Sequence, residues 1–147
     1  MAKDKHYLEQ ELYDLTASTK EVLNFIESCS LDGMWYWDLE NPDHEWMSSR
    51  FWTTFGFEPT NKKHLASEWQ DLIFQEDLET ATENFERHCA DPSYPYDQIV
   101  RYRHRDGSTV WVRCRGMVIR NDDGDPVRML GAHTDISEAM VAKKSCL

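Results

Sequence analysis

At 147 residues the chain is long enough for one domain with a real hydrophobic core. A formal net charge of -11 repels a phosphate backbone and sets nucleic-acid binding aside. No apolar run approaches the roughly 20 residues that cross a bilayer, so direct membrane insertion is excluded too. The polar opening Met1–His6 has no signal-peptide core, and the chain reads as cytoplasmic, or as the cytosolic part of a membrane-bound parent. Cys29, Cys89, Cys114 and Cys146 are far apart and form no CxxC pair, so reduced thiols are expected and no zinc site. Cys146 is second from the end, where a prenylation box needs its cysteine fourth.

In chain order, Leu8, Leu12, Leu15, Thr19, Val22 and Ile26 alternate spacings of four and three, an a/d stripe on a helical segment over 1–30. Ser18-Thr19-Lys20-Glu21 fits a capping box, where the helix can break and restart. The stripe packs either on its own domain or against a second copy. Met34–Leu39 reads as a strand, Asn41-Pro42-Asp43 as a turn and His44–Met47 as the partner strand. Ser48 or Ser49 caps a short helix carrying Phe51, Trp52 and Phe55, ended by Gly56. Pro59–His64 is loop, and Trp69, Leu72, Ile73 and Phe74 suggest another helical turn. Gln75–Cys89 is the clearest helix, with Glu76, Asp77 and Glu79 in its first turn and Leu78, Ala81, Phe85 and His88/Cys89 on one face.

The last third is a meander. Tyr96–Arg105 leads through Asp106-Gly107 into Ser108–Arg120, and Asn121–Asp125 leads into Pro126–Ile136. On the long strand, Val110, Val112, Cys114, Gly116 and Val118 make a core face. Trp111, Arg113, Arg115, Met117 and Ile119 make a second face that water alone rarely covers. Trp111, Met117 and Ile119 are therefore candidates for docking a helix, and Leu8, Leu12, Leu15, Val22 and Ile26 for supplying it. Seven arginines between Arg101 and Arg128 make the sheet locally basic, paired with acidic helices. The class is α+β: an antiparallel sheet of five strands, short helices on one face and an N-terminal amphipathic helix.

Gly33–Leu39, Glu45–Phe51 with Phe55-Gly56-Phe57, Arg101, Arg105–Ser108, Trp111-Val112, Gly116, Asp123-Gly124, Gly131 and Asp135-Ile136-Ser137 together resemble a PAS domain of the PAC-containing kind. The likeness covers about 31–138 and leaves 139–147 as the start of an exit linker. It departs at Phe74-Gln75-Glu76-Asp77, where the family usually has His-Pro before the acidic pair. The resemblance implies a sensory or regulatory module between sheet and helices, binding a small ligand or a partner. It implies a homodimer, and an output domain such as a histidine kinase or diguanylate cyclase of a two-component or related pathway.

Asp135, Ile136 and Ser137 would be the exit for the signal. Candidate pocket residues are Trp37, Phe55, Phe85, His88, Val100, Tyr102 and Cys114, and the same side chains could instead fill the space. The family's haem would need an axial ligand. His88 is the one histidine so placed, although a lone helix-end histidine is more often a cap or core residue. Flavin adduct chemistry would need an Asn-Cys-Arg run, which is missing. No cofactor is assigned. His104 and His133, on neighbouring strands by this reading, are pocket or surface groups and not a metal site. No catalytic set appears, so a ligand-free dimerisation module is the competing reading and a small α+β enzyme the weakest.

Overall fold

The structure, a computed structural model, describes residues 6–145; the expectations placed on Met1–Lys5 and on Cys146 fall outside them. The chain divides into two units, Met1–Leu31 and Asp32–Leu147.

In the first unit the heptad stripe runs over two helices, α1 (Tyr7–Ser18) and α2 (Lys20–Ser30). Thr19 between them is extended, and its hydroxyl donates back to the Leu15 carbonyl at 3.2 Å. That local bond competes with helix continuation, and the expected capping-box contact does not form. Leu8, Leu12 and Leu15 therefore belong to α1, and Val22 and Ile26 to α2.

Among the described residues, the second unit has one five-stranded antiparallel sheet in the order β2-β1-β5-β4-β3. Its strands are β1 (Gly33–Asp38), β2 (Glu45–Met47), β3 (Tyr96–Arg103), β4 (Thr109–Arg120) and β5 (Pro126–Asp135). Three α-helices follow β2, α3 (Ser49–Thr54), α4 (Ser67–Gln70) and α5 (Gln75–Ala90), with a 3-10 turn at Pro59–Asn61 after the first. The chain ends on α6 (Ser137–Ser145). Ser48 caps α3 by accepting the Phe51 amide, and Gly56 closes it at φ 82°, a left-handed conformation that favours glycine. The Phe57 and Gly56 amides return to the Trp52 and Thr53 carbonyls, which completes a Schellman end.

Residues 72–74 depart from expectation. The helix stops at Gln70, and Ile73 instead pairs antiparallel with Tyr102. The Arg103 amide donates to the Leu72 carbonyl and the Phe74 amide to the Arg101 carbonyl. Leu72–Phe74 thus covers the edge that β3 would otherwise leave open. Asp77, in the first turn of α5, then accepts the Arg101 backbone amide at 2.7 Å and the Arg101 guanidinium at 2.9 Å through both oxygens. That bidentate pairing holds the Asp77 carboxyl below its ordinary range and fixes where α5 crosses the sheet.

The core follows the expected alternation. Val110, Val112 and Cys114 are buried on the inner face of β4, while Arg113, Arg115 and Met117 are exposed on the other. The arginines find acidic partners: Arg101 with Asp77, Arg113 with Asp97, and Arg128 with Asp38 and Glu40.

Candidate functional site

The register lays the inner face out in rows. One row runs Met47, Trp35, Gly131, Gly116, Tyr96 across all five strands. Because the two middle positions are glycines, the Trp35 indole lies flat across them and meets the Tyr96 ring edge-on at 6.2 Å. A Cβ on Gly131 would sit 2.0 Å from the indole. A Gly131→Ala variant should lift Trp35 off the sheet, with a loss of about 1–3 kcal/mol in urea unfolding. An unchanged midpoint and an unchanged tryptophan spectrum would contradict that packing. The row on one side runs Glu45, Trp37, Met129, Val118, and on the other Gly33, His133, Cys114, Gln98.

Above these rows, under α4 and α5, lies a cavity of about 240 Å³. Trp35, Trp37, Trp69, Phe85, Tyr96 and Tyr102 are its aromatic lining residues; Glu45, Cys114 and His133 are buried polar residues among them. Gln70 on α4, and Thr82 and Glu86 on α5, are exposed at its rim. Glu45 is 5 % exposed, and the Trp69 indole N–H donates to its Oε1 at 3.2 Å. Burial pushes its carboxyl up to about 7 despite that bond. His133 is 1 % exposed, and its Nδ1 is buried with no hydrogen-bond partner. Burial pushes the imidazole down to about 3, so it is neutral. Burial likewise pushes the Cys114 thiol up to about 12 and the Tyr96 and Tyr102 hydroxyls well above their ordinary value. The lining is aromatic and uncharged apart from carboxylates.

Of the pocket residues expected from sequence, Trp37, Phe85, Tyr102 and Cys114 line this cavity. Phe55 and Val100 are buried core instead, Phe55 stacked on Tyr102 at 4.4 Å. His88 lies away from the lining, and both its ring nitrogens are engaged. The Val118 amide donates to Nε2 at 3.1 Å, and Nδ1 faces the Tyr94 carbonyl at 2.6 Å. An amide can only donate, so Nε2 accepts and the ring proton is on Nδ1. This corrects His88 from a candidate haem ligand to a staple between α5 and β4. His104 is also away from the cavity, in the β3–β4 turn against Gly56, and is not paired with His133. Of the two histidines read as pocket or surface groups, His133 lines the cavity, whereas Glu45, Trp35 and Trp69 were missed. Glu45 carries one signal, its place two residues before Met47 on the same strand face.

Haem and flavin, which the resemblance brings into view, do not fit. The cavity is below the roughly 300–1,000 Å³ usual even for drug-sized ligands. His88 is not free to ligate, and Cys114 sits on a strand with its thiol held protonated. Among the described residues no group of three or more His, Cys, Asp or Glu is placed to hold a metal ion.

One carboxylate ties the cavity to the chain's entry and exit. The Asp32 amide donates to the carbonyl of His133 at 2.9 Å, and Asp32 Oδ2 accepts the Asp135 amide at 2.7 Å. Its Oδ1 takes Arg50 at 3.1 Å. Beyond it, Asp135 Oδ1 accepts the Ser137 amide, the Ser137 hydroxyl accepts the Trp111 amide, and the Ile136 amide donates to the Trp111 carbonyl. The expected exit residues therefore sit at a hydrogen-bonded junction with β4.

A five-stranded antiparallel sheet with this order, one helical face and a cavity between them defines the class: an α+β fold with an internal cavity. A family profile described as PAS fold matches residues 44–133. The chain belongs to the PAS family. Among solved structures it is similar to a sensory box histidine kinase/response regulator from Burkholderia thailandensis, at 22% identity, covering 84% of this chain and 91% of that one, with a TM-score of 0.71. It is also similar to the N-terminal domain of a diguanylate cyclase with PAS/PAC sensor from Marinobacter aquaeolei (20% identity, 74% and 97% covered, TM-score 0.61). A third is the LOV domain of a blue-light activated histidine kinase from Erythrobacter litoralis (13% identity, 71% and 94% covered, TM-score 0.54). At these identities the likeness is one of fold. No relative among the curated proteins matches the sequence.

Proposed function

We propose that this chain is a signal-sensing module in which a small ligand enters the cavity between sheet and α5. The change passes through Asp32 and the Asp135–Ser137 exit to an output domain. The observation that carries this reading is the position of His133: its ring lines the cavity while its carbonyl holds Asp32, which in turn holds Asp135. A ligand that shifts His133 would act directly on the junction and bias how the exit packs. The output domain is of the histidine kinase or diguanylate cyclase kind, and the module works as a cytoplasmic homodimer. Supporting a signalling role, the Burkholderia and Marinobacter structures are parts of such proteins. Among the described residues no helix is long and apolar enough to cross a membrane.

Native mass spectrometry of the purified chain tests both halves. Dimer mass with a retained or saturable small molecule is expected; an apo monomer that takes up nothing would overturn the proposal. The relay has its own test. Asp32→Ala removes the acceptor for the Asp135 amide and should lower stability by about 1–2 kcal/mol. In that variant the amide resonances of residues 135–140 should no longer respond to cavity binding. If they respond as in the parent chain, Asp32 is not the relay.

One observation favours a second reading, a ligand-free dimerisation module. The outer sheet face exposes Trp46, Ile99, Met117 and Leu130. Together with Trp111 and Ile119 they make an apolar surface suited to a helix or a second copy, with Leu8, Leu12, Leu15, Val22 and Ile26 as the donors. A Trp111→Glu variant that stays dimeric and equally stable would remove this reading.

A further inference from the structure

We infer that the cavity takes a small organic monocation, an alkylammonium of roughly eight non-hydrogen atoms or fewer, with its charge against Glu45 and its apolar body against the surrounding rings. The inference rests on the reading that the cavity receives a ligand, and adds the chemical class.

Charge balance is the first ground. Glu45 is a carboxyl buried in an aromatic chamber, and among the described residues the neutral Trp69 N–H is its one side-chain donor. The lining residues include no lysine or arginine. The missing partner of an ionised Glu45 is a positive charge, and among the described residues no lysine, arginine or histidine forms an ion pair with it. An anionic ligand would face that carboxylate with no compensating cation.

The walls are the second ground. Trp35, Trp37, Trp69, Phe85 and Tyr96 surround the space, and aromatic rings attract a desolvated cation through their quadrupoles. The exposed rim adds Glu86, so a cation meets negative potential on entry, in a chain of net charge -11. Size is the third. A cavity of about 240 Å³ holds about eight water-sized groups at ~30 Å³ each.

Binding should be linked to pH. Sharing the cavity with Glu45 are Trp69 from α4, Tyr96 and Tyr102 from β3, Cys114 from β4, His133 from β5 and Glu86 from the α5 rim; on its other side lie the exposed His44, Lys63 and His64 and the half-buried Arg128. The tyrosines and the thiol stay protonated and His133 stays neutral between pH 6 and 8, which leaves Glu45 as the buried group that titrates. A bound cation must displace its proton, so affinity should be about tenfold weaker at pH 6 than at pH 8.

Three probes of equal length, n-butylammonium, n-butanol and butyrate, titrated into the labelled full chain and followed by NMR, provide the test. At pH 8 the cation should bind at least about tenfold tighter than the alcohol, butyrate weakest, with the Trp35 and Tyr96 resonances responding. E45Q, near-isosteric and able to keep the Trp69 bond, should bring butylammonium down to the affinity of butanol; E45A should do the same. Tighter or equal binding of butanol or butyrate in the cavity would overturn the cation class while leaving the cavity a ligand site. Butylammonium binding that ignores both Glu45 variants and pH would place it on the acidic surface and overturn the inference as well. No response to any probe would remove the cavity reading altogether.

Discussion

Glu45→Gln is expected to be more stable than the parent chain above pH 7, by about 3 kcal/mol, and to lose the advantage as pH falls toward 4.5. Burial raises the folded carboxyl from 4.5 to about 7. Below 4.5 both folded and unfolded chains carry the proton, and burial imposes no penalty. Between 4.5 and 7 the folded chain holds a proton the unfolded chain has released, so stability falls with rising pH. Above 7 the penalty is complete. Glutamine has no charge to bury and keeps an oxygen for the Trp69 indole.

His133 works in the opposite direction. Its folded value is lowered from 6.5 to about 3, so the unfolded chain takes up the proton first. Stability from this group is intact above 6.5 and is lost as pH falls toward 3. Between 4.5 and 6.5 the two contributions oppose each other, and the parent chain should be nearly flat there. In Glu45→Gln the His133 slope stands alone, about 1.4 kcal/mol per pH unit. Urea unfolding at pH 8, 6 and 4.5 measures this. Equal stability of the two chains at pH 8 would mean that Glu45 is not buried as described.

His88→Leu should lower stability by about 2–6 kcal/mol without changing the cavity. The side chain is 8 % exposed and satisfies two backbone groups, the Val118 amide and the Tyr94 carbonyl. Leucine fills much of the volume but orphans both, and each such group costs about 1–3 kcal/mol. Arg120, which donates to the Cys89 carbonyl at the end of α5, would still hold the helix, so local fraying and not loss of the fold is expected. Probe binding in the cavity should match that of the parent. A variant as stable as the parent would show that the staple carries no energy, and a lost cavity would show that His88 shapes it after all.

The strands, the long helix and the caps of α3 were readable because each is set by neighbours in sequence. Period-two alternation over 109–120 separates Val112 and Cys114 from Arg113 and Arg115, and Ser48 with Gly56 marks both ends of α3. Residues 72–74 were misread as helix because their strand pairing depends on β3, nearly thirty residues later. The cavity was half legible. Trp37, Phe85, Tyr102 and Cys114 advertise themselves as apolar groups on inward faces. Glu45 does not, and His133 stayed open between pocket and surface, since a carboxylate or an imidazole in a strand can face either way until register and burial are known.

The linear chain was enough for the inward and outward faces, because periodicity and turn chemistry are local; its composition gave the acidic character, and the order of its motifs the resemblance to the PAS family. Only the tertiary structure decided which polar groups are trapped inside, that His88 is stapled and not free, and that Asp32 joins the cavity to Asp135. Those outcomes depend on contacts between residues up to 103 positions apart, and on the loss of water that makes a buried charge need a partner.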